Sequence, residues 1–168
     1  MTDSAIFGVL RAHLGSEEVG RVVYGAIIGL AVVVVMENHP PSAAVAAGTL
    51  VGTAVAIGLA EAYSEFLGAE TRHRRRVESE HARHITSQAL AVSFGVAFPA
   101  VFFVLAEVGA LALATAFDVA KWSGVGLIAF YGFCAGRLAG AGIAAALLQA
   151  VSVAVVGALL IAIKALLH

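Results

Sequence analysis

The stretch from Ser42 to Arg76 most constrains what this chain can become. From Ser42 to Ala60 nearly every side chain is Ala, Val, Leu, Ile, Gly or Thr. Glu61, Tyr63, Ser64, Glu65 and Glu70 follow, and then the cluster Arg72-His73-Arg74-Arg75-Arg76. Such a run predicts a membrane-spanning helix that meets water at its C-terminal end. Glu61 and Glu65 are four residues apart and share one helix face, with Glu61 about three turns short of Arg72. A carboxylate at that depth is either a cation or proton site inside a helical bundle or half of an acid pair neutralised by a nearby arginine; the residues leave both readings open.

The rest of the chain is of the same kind. With 61% hydrophobic and 12% charged residues and a mean hydropathy of +0.96, a chain of 168 residues is too apolar for a soluble domain. The expectation is an all-α integral membrane protein with about five transmembrane helices in a single domain. No basic footprint for nucleic acid is present. No Ser-His-Asp or metalloprotease spacing points to an enzyme, and no tightly bound cofactor is implied. Cys134 is the only cysteine, so no disulfide can form within the chain, and its apolar setting suits a structural role. Asp3, Glu17 and Glu18 precede the first long apolar run, which is not the order of a cleaved signal, so the first helix is expected to be retained. The abundance of Ala, Gly and Val, with Arg well above Lys, suits a bacterial cytoplasmic membrane.

Taken in order, residues 4–15 carry Ile6, Phe7, Leu10 and Leu14 on one face, which predicts a short surface helix ended by Gly15. Ser16, Glu17 and Glu18 read as a helix start, and the first span is expected over 20–37, stopped by Glu37-Asn38-His39-Pro40-Pro41. Gly25 and Gly29 form a bare ridge for close helix approach, either within the chain or by a second copy. The second span is expected over 42–67, continuing as a basic, water-exposed extension over 68–85. There Glu78, His81 and His84 recur every three residues, a spacing that suits either a metal site or a solvated, charge-alternating helix. The third span, 86–106, contains Pro99, which predicts a kink. A hairpin near 107–111 leads to a fourth span over 112–137, with Asp118 and Lys121 as a local ion pair and Trp122 in the interfacial belt. Gly132, Gly136 and Gly140 give its far end a smooth packing face, Arg137 marks its charged end, and a last span over 142–166 includes Lys164.

With five spans, Arg11, Arg21, Arg72, Arg74, Arg75, Arg76, Arg83 and Arg137 share one side while Lys121 and Lys164 share the other. The arginine side is then the cytoplasm, with the N-terminus inside and the C-terminus outside.

Several of these segments occur in an order that resembles a known family. Val23-Tyr24-Gly25 through Gly29, Ser64-Glu65-Phe66-Leu67, Phe94-Gly95-Val96-Ala97-Phe98-Pro99 and above all Gly132-Phe133-Cys134-Ala135-Gly136-Arg137-Leu138-Ala139-Gly140 resemble, in turn, segments of the vacuolar iron transporter superfamily. The resemblance implies five spans, a homodimer, and movement of ferrous or manganous ions against protons along a path lined by the first two helices. Glu65 matches the family's second-helix glutamate. The acid that the family carries early in its first helix is absent, the neighbourhood reading Ala26-Ile27-Ile28-Gly29, and the metal-collecting cytoplasmic domain is reduced to the segment from Glu70 to His84.

Two functions are thereby expected. One is a divalent-metal transporter whose candidate ligands are Glu61, Glu65, Glu70, Glu78, His81 and His84, with Fe(II) or Mn(II) as the cargo suited to carboxylate oxygens. The other is a non-transporting membrane scaffold in which Arg137 neutralises Glu61 and Glu65 while the basic extension binds anionic lipid or a partner.

Overall fold

The computed structural model describes residues 18–73 and 79–166. The expected surface helix over 4–15, Arg74, Arg75, Arg76 and Glu78 lie outside the described residues, as do the side chains of Arg72 and Lys164. Among the described residues every regular element is a helix: α1 (Glu18–Met36), α2 (Ala43–His73), α3 (Ser79–Ala97), α4 (Ala100–Glu107), α5 (Leu113–Leu138) and α6 (Ile143–Leu166).

α1, α5 and the Ala43–Thr71 part of α2 are each long and apolar enough to cross a membrane, and α3 with α4 makes a fourth crossing if the bent pair counts as one. The bend between α3 and α4 is 48°. It falls at Pro99, as the sequence predicts, because proline has no N–H to continue the ladder and its ring crowds the carbonyl one turn earlier. Large apolar side chains left outward along α2, among them Val45, Val51, Val55 and Leu59, fit hydrocarbon and not water. This is the architecture of an all-α membrane protein.

The centre of the fold is α1, not the second helix that dominates the sequence. α1 packs against α3, α5, α6 and α2, whereas α2 leans mainly on α3 and α4. Gly25 and Gly29 explain how α1 gets so close. A Cβ on Gly25 would lie 2.1 Å from the Val92 carbonyl oxygen, one on Gly29 would lie 2.8 Å from that of Val96, and one on Gly95 would lie 2.4 Å from that of Val22. The glycine ridge is therefore filled by α3 of the same chain, which decides between the two partners that the spacing left open. Gly132 and Gly136 meet Ala150 and Ala146 of α6 in the same manner, as their spacing predicts.

Around α1 the core divides along its length. Val33 joins Leu50, Phe103 and Phe117 toward one end, the two rings standing edge to face at 4.7 Å between centroids. Leu30 and Ile128 fill the middle, and Val19, Val22 and Tyr131 close the other end. The hairpins are tight. Gly109 and Gly140 hold φ of 78° and 82°, left-handed conformations that end α4 and α5 and that a side chain would strain. Ser42 Oγ accepts from Val45 N–H at the start of α2, and Glu107 Oε2 accepts from Ala44 N–H at 2.9 Å, so a residue 63 positions away completes the cap.

One boundary differs from expectation. Ser79 already stands on α3, so residues 79–85 share one helix with the third span that follows them. The reason is packing, since Ile85, Gln88, Ala89 and Val92 are buried, and α3 must run back along α1 and α2 to bury them. His81 and His84 thus belong to the start of the returning helix.

Candidate functional site: an arginine between two glutamates

Glu61 and Glu65 are brought together by a cation from α1. The Arg21 guanidinium forms an ion pair with Glu61 through one terminal nitrogen and reaches Glu65 Oε1 at 3.2 Å through the other. The same nitrogen is 3.5 Å from Gln88 Oε1. All three charged side chains are only partly exposed, at 29%, 18% and 34% for Arg21, Glu61 and Glu65. One planar guanidinium offering parallel donors suits two carboxylates a helical turn apart.

α3 supplies the other wall. Gln88 is 6% exposed, and its amide nitrogen lies 3.0 Å from His84 Nε2. With the Gln88 oxygen turned to Arg21, its amide donates and His84 Nε2 accepts. Ser87 donates a hydrogen bond to Glu18 at the first residue of α1. The result is a chain of polar contacts from α2 through α1 to α3, toward the C-terminal end of α2 and the N-terminal ends of α1 and α3.

The expected ligands do not all gather there. Glu70, one turn beyond Glu65, and His81 on α3 form no hydrogen bond or ion pair among the described residues, and Glu78 lies outside them. Among the described residues no group of three or more His, Cys, Asp or Glu side chains is placed to hold a metal ion. Tyr63 and Ser64, counted in the sequence as neighbouring oxygens, are exposed, and Tyr63, two residues from Glu61, is turned to another side of α2. Two carboxylates, Glu61 and Glu65, are what the site offers a cation, and they already share one.

Arg137 is not their partner. Its guanidinium donates to the Ala141 carbonyl at 3.0 Å and so secures the turn after its own helix. The sequence reading missed Arg21 and Gln88 as site residues, having used Arg21 only for orientation. The available signal was position: Arg21 lies one turn before Gly25 on the ridge that α1 buries, where an intramembrane cation demands a partner.

At the opposite end, Lys121 forms the expected i, i+3 pair with Asp118 at 3.1 Å and also an ion pair with Glu37 beyond α1. Trp122 is exposed beside it.

Comparison of this chain with protein-family models, with curated proteins and with solved structures found no match.

Proposed function

We propose that this chain is a five-span protein of the bacterial cytoplasmic membrane, N-terminus inside and C-terminus outside, that moves Fe(II) or Mn(II) as a homodimer, in exchange for protons. The observation that carries this reading is the Arg21 guanidinium shared by Glu61 and Glu65. It marks a partly buried place built for positive charge between two helices. A divalent ion that takes Arg21's place on the two carboxylates satisfies both, with water completing its shell, while Gln88 keeps a hold on the displaced guanidinium. Carboxylates must be ionised to bind metal, so metal affinity falls as pH is lowered. The fifth crossing in this topology is α6, the family resemblance supports both the ion and the dimer, and the dimer contact lies elsewhere than the Gly25–Gly29 ridge.

The same observation favours a second reading, a non-transporting scaffold in which Arg21 permanently neutralises the two acids and the basic segment binds lipid or a partner. Uptake of Mn(II) into proteoliposomes separates them. Transport predicts wild-type uptake above that of protein-free vesicles, rising with external pH, and a loss of at least tenfold in Glu61→Gln. Absence of uptake by a folded wild-type protein refutes the transporter and leaves the scaffold.

A further inference from the structure

The first turn of α1 borders a cleft of about 450 Å³ between α1, α3 and α5. Val22 of α1, Leu90 and Phe94 of α3 and Tyr131 of α5 form its walls, and Glu18 and Ser87 close its polar end through their hydrogen bond. Leu90 and Phe94 stand one turn apart and are 65% and 49% exposed. From Ser87 to Phe94 the cleft runs roughly 10 Å along α3. Residues 1–17 join the described chain at Glu18, on the rim of this cleft. Within them Ile6, Phe7, Leu10 and Leu14 share one face of a helix, while Ser4, Gly8 and Arg11 fall on another.

We propose that residues 6–14 fold back on α1 as an amphipathic helix and seat Leu10 and Leu14 in this cleft, so that the chain's own N-terminal segment covers it. The covalent connection selects this occupant. Leu14 precedes Glu18 by four residues, a reach of up to about 14 Å, which spans the roughly 10 Å length of the cleft. A tether that short holds the segment beside the cleft at an effective concentration on the order of mM before any contact forms. Gly15, between the segment and α1, suits the turn that reverses the chain. Depth agrees with this placement. An interfacial amphipathic helix sinks its apolar face about 5–10 Å below the headgroups, and the apolar walls descend over that interval from the level of Glu18 and Ser87. Leu10 and Leu14 then meet Leu90 and Phe94, while the Arg11 face stays toward headgroups and water. Seated there, the segment joins α1, α3 and α5 at one end of the bundle. The contact is independent of ion transport, since neither Glu61, Glu65 nor Arg21 lines the cleft.

The test uses the full chain with Cys134→Ala, in lipid nanodiscs, and follows cross-linking of paired cysteines by a short bifunctional maleimide. Leu10→Cys is paired in turn with Leu90→Cys on α3, Leu147→Cys on α6 and Phe66→Cys on α2, all three of them exposed positions. The Leu90 pair is expected to react about tenfold faster than either of the others and to give a product of monomer size. Leu14→Glu, which carries a charge into the apolar cleft, should remove most of that preference. Equal rates at the three positions leave the segment free on the bilayer surface and the cleft to lipid. A faster reaction at Leu147 or Phe66 puts the segment on another face, and a dimer-sized product from a mixture of single-cysteine Leu10→Cys and Leu90→Cys chains gives the cleft to a second copy. Each of these results, or an unchanged preference in Leu14→Glu, overturns the proposal. Should the Leu10→Cys, Leu90→Cys chain fail to fold, Leu14→Cys with Phe94→Cys serves instead, and a rate no greater than that of Leu14→Cys with Leu147→Cys overturns it equally.

Discussion

Replacing Gly25 by alanine tests the packing that places every other element. The added methyl would sit 2.1 Å from the Val92 carbonyl oxygen, 3.0 Å from its carbon and 3.2 Å from the Gly95 Cα, all of them backbone atoms. Ordinary contact begins near 3.5 Å, so α1 and α3 must separate by about an ångström or more. No side chain can rotate to relieve the clash. Overpacking of this kind costs about 1–3 kcal/mol, and the backbone obstacle puts Gly25→Ala at the upper end. Alanine in a helix recovers up to about 1 kcal/mol relative to glycine, leaving a net loss of about 2 kcal/mol. Gly48 provides the control, because a Cβ there meets nothing within 4 Å and the residue is exposed. Gly48→Ala should be neutral or stabilising by up to about 1 kcal/mol. Equilibrium unfolding in mixed micelles, titrated with denaturing detergent, should therefore separate the two variants by about 2–3 kcal/mol. If they differ by less than about 0.5 kcal/mol, the close approach of α1 to α3 is wrong.

Three further outcomes follow from named contacts. A double-mutant cycle between Arg21→Gln and Glu61→Gln should return a coupling of about 1–2 kcal/mol, whereas Arg137→Gln with Glu61→Gln should return none; equal coupling in both cycles would restore Arg137 as the partner. Lys121→Met removes the ion pairs to Glu37 and Asp118 together and should cost about 1–2 kcal/mol in the same unfolding assay, an unchanged midpoint showing that the Glu37 pair does not hold the end of α1 to α5. A cysteine introduced at Ser79 in a background lacking Cys134 should react with an impermeant maleimide only from the cytoplasmic side, and reaction from outside would invert the topology.

Much of the architecture was legible because it is local. Pro99 bends the third crossing, the hairpin expected near 107–111 turns at Gly109, and the run Ala112–Arg137 sits within a residue of α5, since each depends on the backbone chemistry of a few neighbours; Gly140, expected in the packing face with Gly132 and Gly136, meets nothing within 4 Å and instead turns the chain after α5. The Asp118–Lys121 pair was equally local. The candidate site was half legible: Glu61 and Glu65 share a face by spacing alone, yet the cation that joins them comes from Arg21, 44 positions from Glu65.

The residues by themselves determined that this chain makes apolar helices, where most of them begin and end, and which glycine ridges permit close packing. Only the tertiary structure decided which helix fills each ridge: α3 against Gly25 and Gly29, and α6 against Gly132 and Gly136. It also decided that α1 occupies the centre, that Arg21 rather than Arg137 holds the acids, and that Glu37 joins the Lys121 pair. The physical reason lies in the solvent. In hydrocarbon an apolar face can meet lipid or another helix at similar free energy, so hydrophobic periodicity no longer tells inside from outside. Partner choice then rests on backbone approach and on where a few buried charges can meet, and both are set by contacts remote in sequence.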